Sequence, residues 1–266
     1  MTNQSISTGR VRVSKSVKSA VFCAVMAFPA ACSTKEAPGP IEPTSTVGRV
    51  RLVNVITDAT RGRVNASLEG LIFTVDLQYA QSAPANLPSP ATAPYASVYT
   101  GNRAFVLKRT ADTTVTVATL PFSVADGQDR SVYAVGGVLG SAVTGVVTTD
   151  DNTLGSATQT RTRVVQMSPT AGALDIFVTA PLADLTGATP VATNLAYQSA
   201  SSYFVVAPGT YVIRAVPAGT APAGRNAAVV ITSASVTLGG ATVRTVVTAD
   251  AAAGGGPLRA FVLADR

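Results

Sequence analysis

Arg161-Thr-Arg-Val-Val-Gln-Met167 repeats, residue class by residue class, the stretch Arg49-Val-Arg-Leu-Val-Asn-Val55 found 112 residues earlier. The match continues in order along the chain. Val64-Asn-Ala-Ser-Leu68 aligns with Leu174-Asp-Ile-Phe-Val178, and the spacing from Tyr95 to Gly101 recurs from Tyr203 to Gly209. Ser123-Val124 and Gly127 align with Ser235-Val236 and Gly239, and Val147–Asp151 with Phe261–Asp265. An ordered series of this kind indicates two copies of one structural unit, with small offset drifts from loop insertions.

Each copy reads as strands. Leu174, Ile176 and Val178 alternate with Asp175, Phe177 and Thr179, the two-residue period of a pleated strand. Pro208-Gly209 between Tyr203–Ala207 and Tyr211–Val216 predicts a type II hairpin turn, because proline presets the first central angle and glycine permits positive φ at the second. Gly239-Gly240 between Ser235–Leu238 and Val243–Thr248 predicts another hairpin. Val and Thr are abundant, as suits half-buried sheet surfaces. No helical periodicity stands out after the N-terminal segment. The fold class expected is all-β: two tandem antiparallel β-sandwiches, repeat 1 over 48–152 and repeat 2 over 160–266. Ala80–Pro94, with Pro84, Pro88, Pro90 and Pro94, reads as a long surface loop, and Asp150–Thr160 as a polar linker between the copies.

The N-terminus reads as a targeting segment. Residues 1–18 are polar with Arg10, Arg12, Lys15 and Lys18, and residues 19–31 are apolar. Thirteen apolar residues fall short of the ~20 that a spanning helix needs and fit the core of a signal peptide over 1–31. Ala30-Ala31-Cys32 resembles a bacterial lipobox, with Pro29 where that motif carries Leu. The resemblance implies cleavage before Cys32 and lipidation of its thiol, followed by a flexible linker over 32–47. Cys23 would be removed with the signal, leaving Cys32 without a disulfide partner. The address expected is the cell envelope, outer membrane or cell surface, with a soluble secreted or periplasmic protein as the alternative.

The second copy also resembles a known family. Thr162-Arg-Val-Val-Gln-Met-Ser-Pro169, Leu174-Asp-Ile-Phe-Val178, Asn194-Leu-Ala-Tyr197, Ser202-Tyr203 and Ala207-Pro-Gly-Thr-Tyr-Val-Ile-Arg214 are similar to the bacterial domain of unknown function 4397. The first copy follows less closely: Asp58 and Ala59 fall in the turn after its first strand, and Thr100-Gly-Asn102 stands in place of Pro-Gly-Thr. The resemblance implies an immunoglobulin-like sandwich, often in tandem on envelope or secreted proteins, and no reaction.

Residue types exclude much chemistry. The chain has no histidine, which removes Ser-His-Asp and Cys-His catalysis and histidine metal ligation. The formal net charge is +6, but four of those charges precede residue 32 and the remaining arginines are scattered. No nucleic-acid footprint results. Gly254-Gly-Gly256 lacks the Lys-Ser/Thr of a phosphate loop and reads as a loop before the last strand. The carboxyl pairs Asp126/Asp129 and Asp150/Asp151 are the arrangement to weigh for glycoside hydrolysis or a weak Ca²⁺ site. Their Gly- and Asn-containing surroundings read instead as solvated turns. Tyr95, Tyr197, Tyr203 and Tyr211 read as packing residues whose hydroxyls reach backbone groups at corners, the other reading being a sugar-stacking surface. No catalytic, cofactor or metal site is assigned, and the one site residue expected is Cys32. The expectation is a non-catalytic envelope lipoprotein in a structural or adhesive role, membrane-bound through its lipid. The alternative is a binding module for a peptide, glycan or envelope protein.

Overall fold

The computed structural model describes residues 46–84 and 95–266. Cys32, the signal segment and most of the Ala80–Pro94 loop lie outside the described residues. The first repeat contributes β1 (Val47–Ile56), β2 (Val64–Leu68), β3 (Leu71–Leu77), β4 (Ser82–Ala83), β5 (Ala96–Tyr99), β6 (Gly101–Arg109), β7 (Asp112–Val124), β8 (Asp129–Gly136) and β9 (Val143–Asp150). The second contributes β10 (Thr160–Gln166), β11 (Leu174–Thr179), β12 (Ala192–Leu195), β13 (Ser199–Ala200), β14 (Phe204–Val206), β15 (Gly209–Pro217), β16 (Ile231–Thr232), β17 (Val236–Leu238), β18 (Thr242–Ala249) and β19 (Arg259–Ala264).

The two repeats share one topology. Sheet order β4-β1-β8-β9 with β5 on β1 recurs as β13-β10-β18-β19 with β14 on β10. Sheet order β3-β2-β6-β7 recurs as β12-β11-β15-β16 with β17 on β15. The fold is thus an all-β sandwich, made twice. Most pairings are antiparallel, but β1 runs parallel to β8 and β10 parallel to β18.

Both expected hairpins around Pro208-Gly209 and Gly239-Gly240 are corrected. β14 pairs with β10 and β15 with β11, so Pro208-Gly209 carries the chain from one sheet to the other. Gly209 accordingly does not take a positive φ. β17 pairs with β15 and β18 with β10, so Gly239-Gly240 also joins opposite sheets. Burial explains both: each flanking strand has an apolar face that is satisfied only from its own layer. Among the described residues, the consecutive strands that pair antiparallel are β2–β3, β6–β7, β8–β9, β11–β12, β15–β16 and β18–β19.

Two-residue periodicity then builds three cores from the same strands. In β1, Val50, Leu52 and Ile56 point into the first sandwich, where they meet Val64, Leu77, Phe105 and Leu120. In β10, Val164 points into the second, against Leu174, Ile176 and Ile213. The opposite faces are not solvated. Val53, Val55, Tyr133 and Val135 of the first repeat pack on Val165, Met167, Val247, Ala249 and Leu263 of the second. The β1-containing sheet therefore lies face to face with the β10-containing sheet, and four sheets stack in series. Burial on both faces removes the polar alternation over part of these strands, as in Val132–Val135, Val164-Val165 and Val246-Val247.

The 150–160 segment is docked rather than loose. Ala241 donates its N–H to the carbonyls of Ser156 and Gln159 at 3.0 and 2.9 Å, and Thr160 Oγ1 donates to the Gly239 carbonyl at 2.6 Å.

Candidate functional sites

The outward face of β1 carries Arg51 immediately before Val53, and the outward face of β10 carries Arg163 before Val165. Both arginines are therefore delivered by strand alternation into the interface between repeats, where side-chain exposure is 1% and 3%. The carboxylates come from the last strand of each repeat. Asp150 ends β9 and Asp265 directly follows β19, both with fully buried side chains.

The four charges cross between repeats. Arg51 Nη2 lies 2.6 Å from Asp265 Oδ1, and Arg163 Nη2 pairs with Asp150 Oδ1. Arg51 also lies 3.7 Å from Asp150. Within each repeat a hydroxyl links arginine to aspartate: Arg51 Nε donates to Ser131 Oγ at 2.6 Å and Ser131 donates to Asp150. In the second, Arg163 Nε donates to Thr245 Oγ1 at 3.0 Å and Thr245 to Asp265 at 2.6 Å. Equivalent tyrosines cover the guanidinium groups. Arg51 lies 4.8 Å from the ring centre of Tyr95, and Arg163 lies 5.0 Å from that of Tyr203. The Tyr95 hydroxyl donates to Asp150 at 2.8 Å.

The titration behaviour follows from this arrangement. Burial raises the Asp150 carboxyl, but Arg51 and Arg163 together outweigh it and hold the group below the ordinary carboxylate range. Burial dominates at Asp265, where Arg51 opposes it and the like charge of Asp150 adds to it, so this carboxyl lies above its ordinary value. Burial likewise raises Tyr95 and Tyr203 against the pull of Arg51 and Arg163. Two cations and two anions close on each other here. The carboxylates act as counter-ions to buried guanidinium groups, and such a cluster fixes the register of two surfaces.

The structure separates the sequence-derived carboxyl pairs into different roles. Asp126 and Asp151 are exposed, as turn residues should be, and Asp151 pairs with Arg161 at 2.6 Å. Asp129 and Asp150 are buried, which corrects the solvated-turn reading. They face each other across β8 and β9. Asp129 accepts from Arg49 Nε and Nη2 at 2.6 Å each and from Asn152 at 2.6 Å. Asp129, Asp150, Asp151, Asn152 and Arg49 line one polar cavity of about 340 Å³. Each of the three carboxylates in it is engaged by an arginine.

The tyrosines also divide. Tyr211 donates to the Ala207 carbonyl at 2.9 Å and closes the corner between sheets, as expected. In the first repeat Arg103 occupies the equivalent place and donates to the carbonyl of Tyr99, again four residues back, at 3.0 Å. Tyr95 and Tyr203 serve the charged interface rather than corner backbone. Sequence reading missed Arg51 and Arg163 as a pair, although their signal was present in the aligned Arg-x-Arg motifs.

A second feature lies at one end of the first repeat. Leu68, Leu71, Ile72, Phe73, Val98 and Tyr99 line a largely apolar groove of about 310 Å³ between the β2–β3 turn and β5. Leu71 is 76% exposed and Ile72 80%. Arg103 pairs with Glu69 at the rim.

Fold and interface together define a tandem β-sandwich protein whose two repeats share a buried, charge-crossed face. The chain belongs to the family described as Domain of unknown function (DUF4397), which matches residues 48–177 and 179–266. The break between the matched regions falls inside β11, so the first extends beyond the topological repeat. No curated protein matches the chain. Among solved structures it is similar to "The Bacillus anthracis TIE protein", at 11% identity and a TM-score of 0.19. That likeness covers 67% of this chain and 30% of the other, so the chain spans under a third of that protein's length.

Proposed function

We propose that the protein is a non-catalytic lipoprotein of the cell envelope, in which an acylated Cys32 holds two interlocked β-sandwiches at a membrane for a structural or adhesive role. The observation that carries the reading is the interface. Arg51, Arg163, Asp150 and Asp265 are buried among apolar side chains from both repeats, which makes the pair one stiff unit rather than two beads on a linker. A stiff spacer behind a tether suits mechanical display. Of the candidate carboxylates, Asp129, Asp150 and Asp151 are committed to arginines, which suits a scaffold better than proton transfer. Residues 1–31 read as an export signal, and Cys32 is then the single remaining cysteine.

The experiment is protease shaving of intact cells expressing a C-terminally tagged chain, wild type against Cys32→Ala, with disrupted cells as control. Membrane-bound wild type and released Cys32→Ala are the expected pair. Equal membrane retention of both overturns the anchor. Protection of wild type until the envelope is broken places the work of the unit in the periplasm instead of outside.

A further inference from the structure

Ten large apolar side chains are exposed among the described residues, and four of them gather at one end of the first repeat: Val47, Leu71, Ile72 and Tyr99. Leu71 and Ile72 follow the Glu69-Gly70 turn at the tip of the β2–β3 hairpin. Tyr99 ends β5 and pairs in register with Val47 at the start of β1. Isolated exposed apolar residues are ordinary, but a contiguous cluster around a groove marks a contact surface. A turn that presents two aliphatic side chains beside a tyrosine also has the composition of an interfacial membrane contact, where an aromatic ring with a polar tip sits at headgroup level.

The chain itself says what faces this end. β1 is entered through Thr46, whose carbonyl accepts from the Thr100 N–H at 3.1 Å and whose hydroxyl bonds that of Thr100 at 2.7 Å. The polypeptide thus enters the fold beside Tyr99, on the rim of the groove. Only the 13 residues 33–45 separate Thr46 from Cys32. Fully extended, such a segment reaches at most ~50 Å. A lipid on Cys32 therefore keeps the exposed Leu71-Ile72 tip at high local concentration next to the bilayer that holds the lipid.

We infer that the β2–β3 tip, with Leu71, Ile72 and Tyr99, is a membrane-docking surface that seats the tethered unit on the lipid bilayer. The inference rests on the lipoprotein reading above and adds a second, non-covalent contact to it. A single lipid attachment leaves a globular unit free to swing on its linker. Insertion of two aliphatic side chains into the headgroup–acyl boundary fixes which end faces the membrane. It also explains why these side chains stay exposed in a fold that buries apolar surface on both sides of β1.

The test uses the full chain, processed in a bacterium that acylates lipoproteins and reconstituted into phosphatidylethanolamine–phosphatidylglycerol vesicles. Ile72→Cys carries an environment-sensitive fluorophore. Leu182→Cys, on a fully exposed side chain of the second repeat, is the control. Expected are a blue-shifted Ile72 probe, quenched several-fold more by a nitroxide lipid than the Leu182 probe, and a return to water when Leu71→Ser and Tyr99→Ser are added. A water-exposed Ile72 probe on a chain whose intact mass shows acylated Cys32 overturns the docking and leaves the anchor standing. A shielded probe that nitroxide lipid does not quench shows a protein cover, such as a second copy, and also overturns it. A free Cys32 thiol by intact mass removes the anchor reading and the docking with it.

Discussion

Arg51 and Asp265 stand 214 residues apart in the chain and 2.6 Å apart in the fold. Their equivalents, Arg163 and Asp150, make the reverse crossing. Each repeat thus supplies the cation for the other's anion, while Ser131 and Thr245 tie each anion to the neighbouring strand of its own repeat. A half of this arrangement is not self-sufficient: Arg163 would meet its own Asp265 only through Thr245, and Arg51 would keep only the 3.7 Å contact with Asp150.

The two aspartates should respond differently to neutralisation. The Asp150 carboxyl lies below the ordinary range, so its contribution is present above the unfolded value of ~4 and lost as pH falls through its depressed folded value. The Asp265 carboxyl lies above that range, so the folded state favours its neutral form, and that contribution is present below ~4 and fades as pH rises through the raised folded value. Asp150→Asn, which strips two guanidinium groups of their shared counter-ion, should cost roughly 3–5 kcal/mol at neutral pH. Asp265→Asn should cost less at neutral pH, and its cost should grow as the solution is acidified toward pH ~4, where the neutral carboxyl contributes in the wild type. Urea denaturation of both variants across that pH range checks the order.

The repeats should unfold together. Val53, Val55, Val165, Met167 and Val247 are all buried at 1% exposure or less between them. Intrinsic fluorescence of tyrosines in either repeat and far-ultraviolet circular dichroism should give coincident urea transitions. A fragment of residues 160–266 alone should aggregate or bind hydrophobic dye, because it exposes the face carrying Val165, Met167 and Val247 together with Arg163. Two separated transitions, or a well-behaved fragment, would show that the interface contributes little.

Alkali should open the same interface. Tyr79 of the first repeat donates its hydroxyl to the Asp250 carbonyl of the second. Burial pushes this phenol up to about 12. Its folded value is raised, so the associated stability is intact below the ordinary ~10 and is lost as pH rises through about 12. Tyrosinate absorbance of the buried rings should therefore appear with loss of circular dichroism in that window. Tyr79→Phe should lose about 0.5–1.5 kcal/mol at neutral pH and shift the alkaline transition upward.

The corners offer a matched pair of tests. Tyr211 and Arg103 each donate to a carbonyl four residues back, at 2.9 and 3.0 Å. Tyr211→Phe removes a partly exposed hydrogen bond and should cost ~0.5–1.5 kcal/mol by denaturant midpoint. Arg103→Tyr places the second repeat's solution in the first and should recover more stability than Arg103→Ala, measured in the same way.

How far the sequence was legible depends on which face of a strand is asked about. The repeat, the strands and the Tyr95/Tyr203 equivalence were visible, because they are local patterns and fixed spacings. The two apparent hairpins were misread because a Pro-Gly or Gly-Gly turn marks a reversal, and says nothing about which sheet receives the next strand. Registers near the repeat ends also moved: Val124 corresponds to Leu238, both opposite the first residue of β6 or β15, and Asp150 rather than Asp151 corresponds to Asp265. Arg51 and Arg163 looked scattered because a buried ion pair leaves no local pattern. The clue was the second arginine of the aligned Arg49-Val-Arg51 and Arg161-Thr-Arg163 motifs, which alternation places on the same face as Val53 and Val165. The apolar groove was invisible for the opposite reason, since Leu71 and Ile72 read as ordinary strand residues.

Gly240 gives the sharpest test of the docked segment between repeats. A Cβ built there would lie 1.7 Å from the Ala157 carbonyl oxygen and 2.7 Å from its carbon, both backbone atoms. No rotamer change relieves such a clash, so either the 153–159 segment or the start of β18 must move. Movement of the first breaks the bonds from Ala241 N–H to Ser156 and Gln159. Movement of the second displaces the strand that carries Thr245 and Val247 into the interface. Gly240→Ala should therefore cost about 1–3 kcal/mol, as overpacking of a tight site does. Gly239→Ala, whose nearest neighbour is the Thr242 methyl at 3.9 Å, should cost much less. Thermal midpoints of the two variants decide the matter: equal shifts would mean that the 153–159 segment gives way freely and does not brace the second repeat.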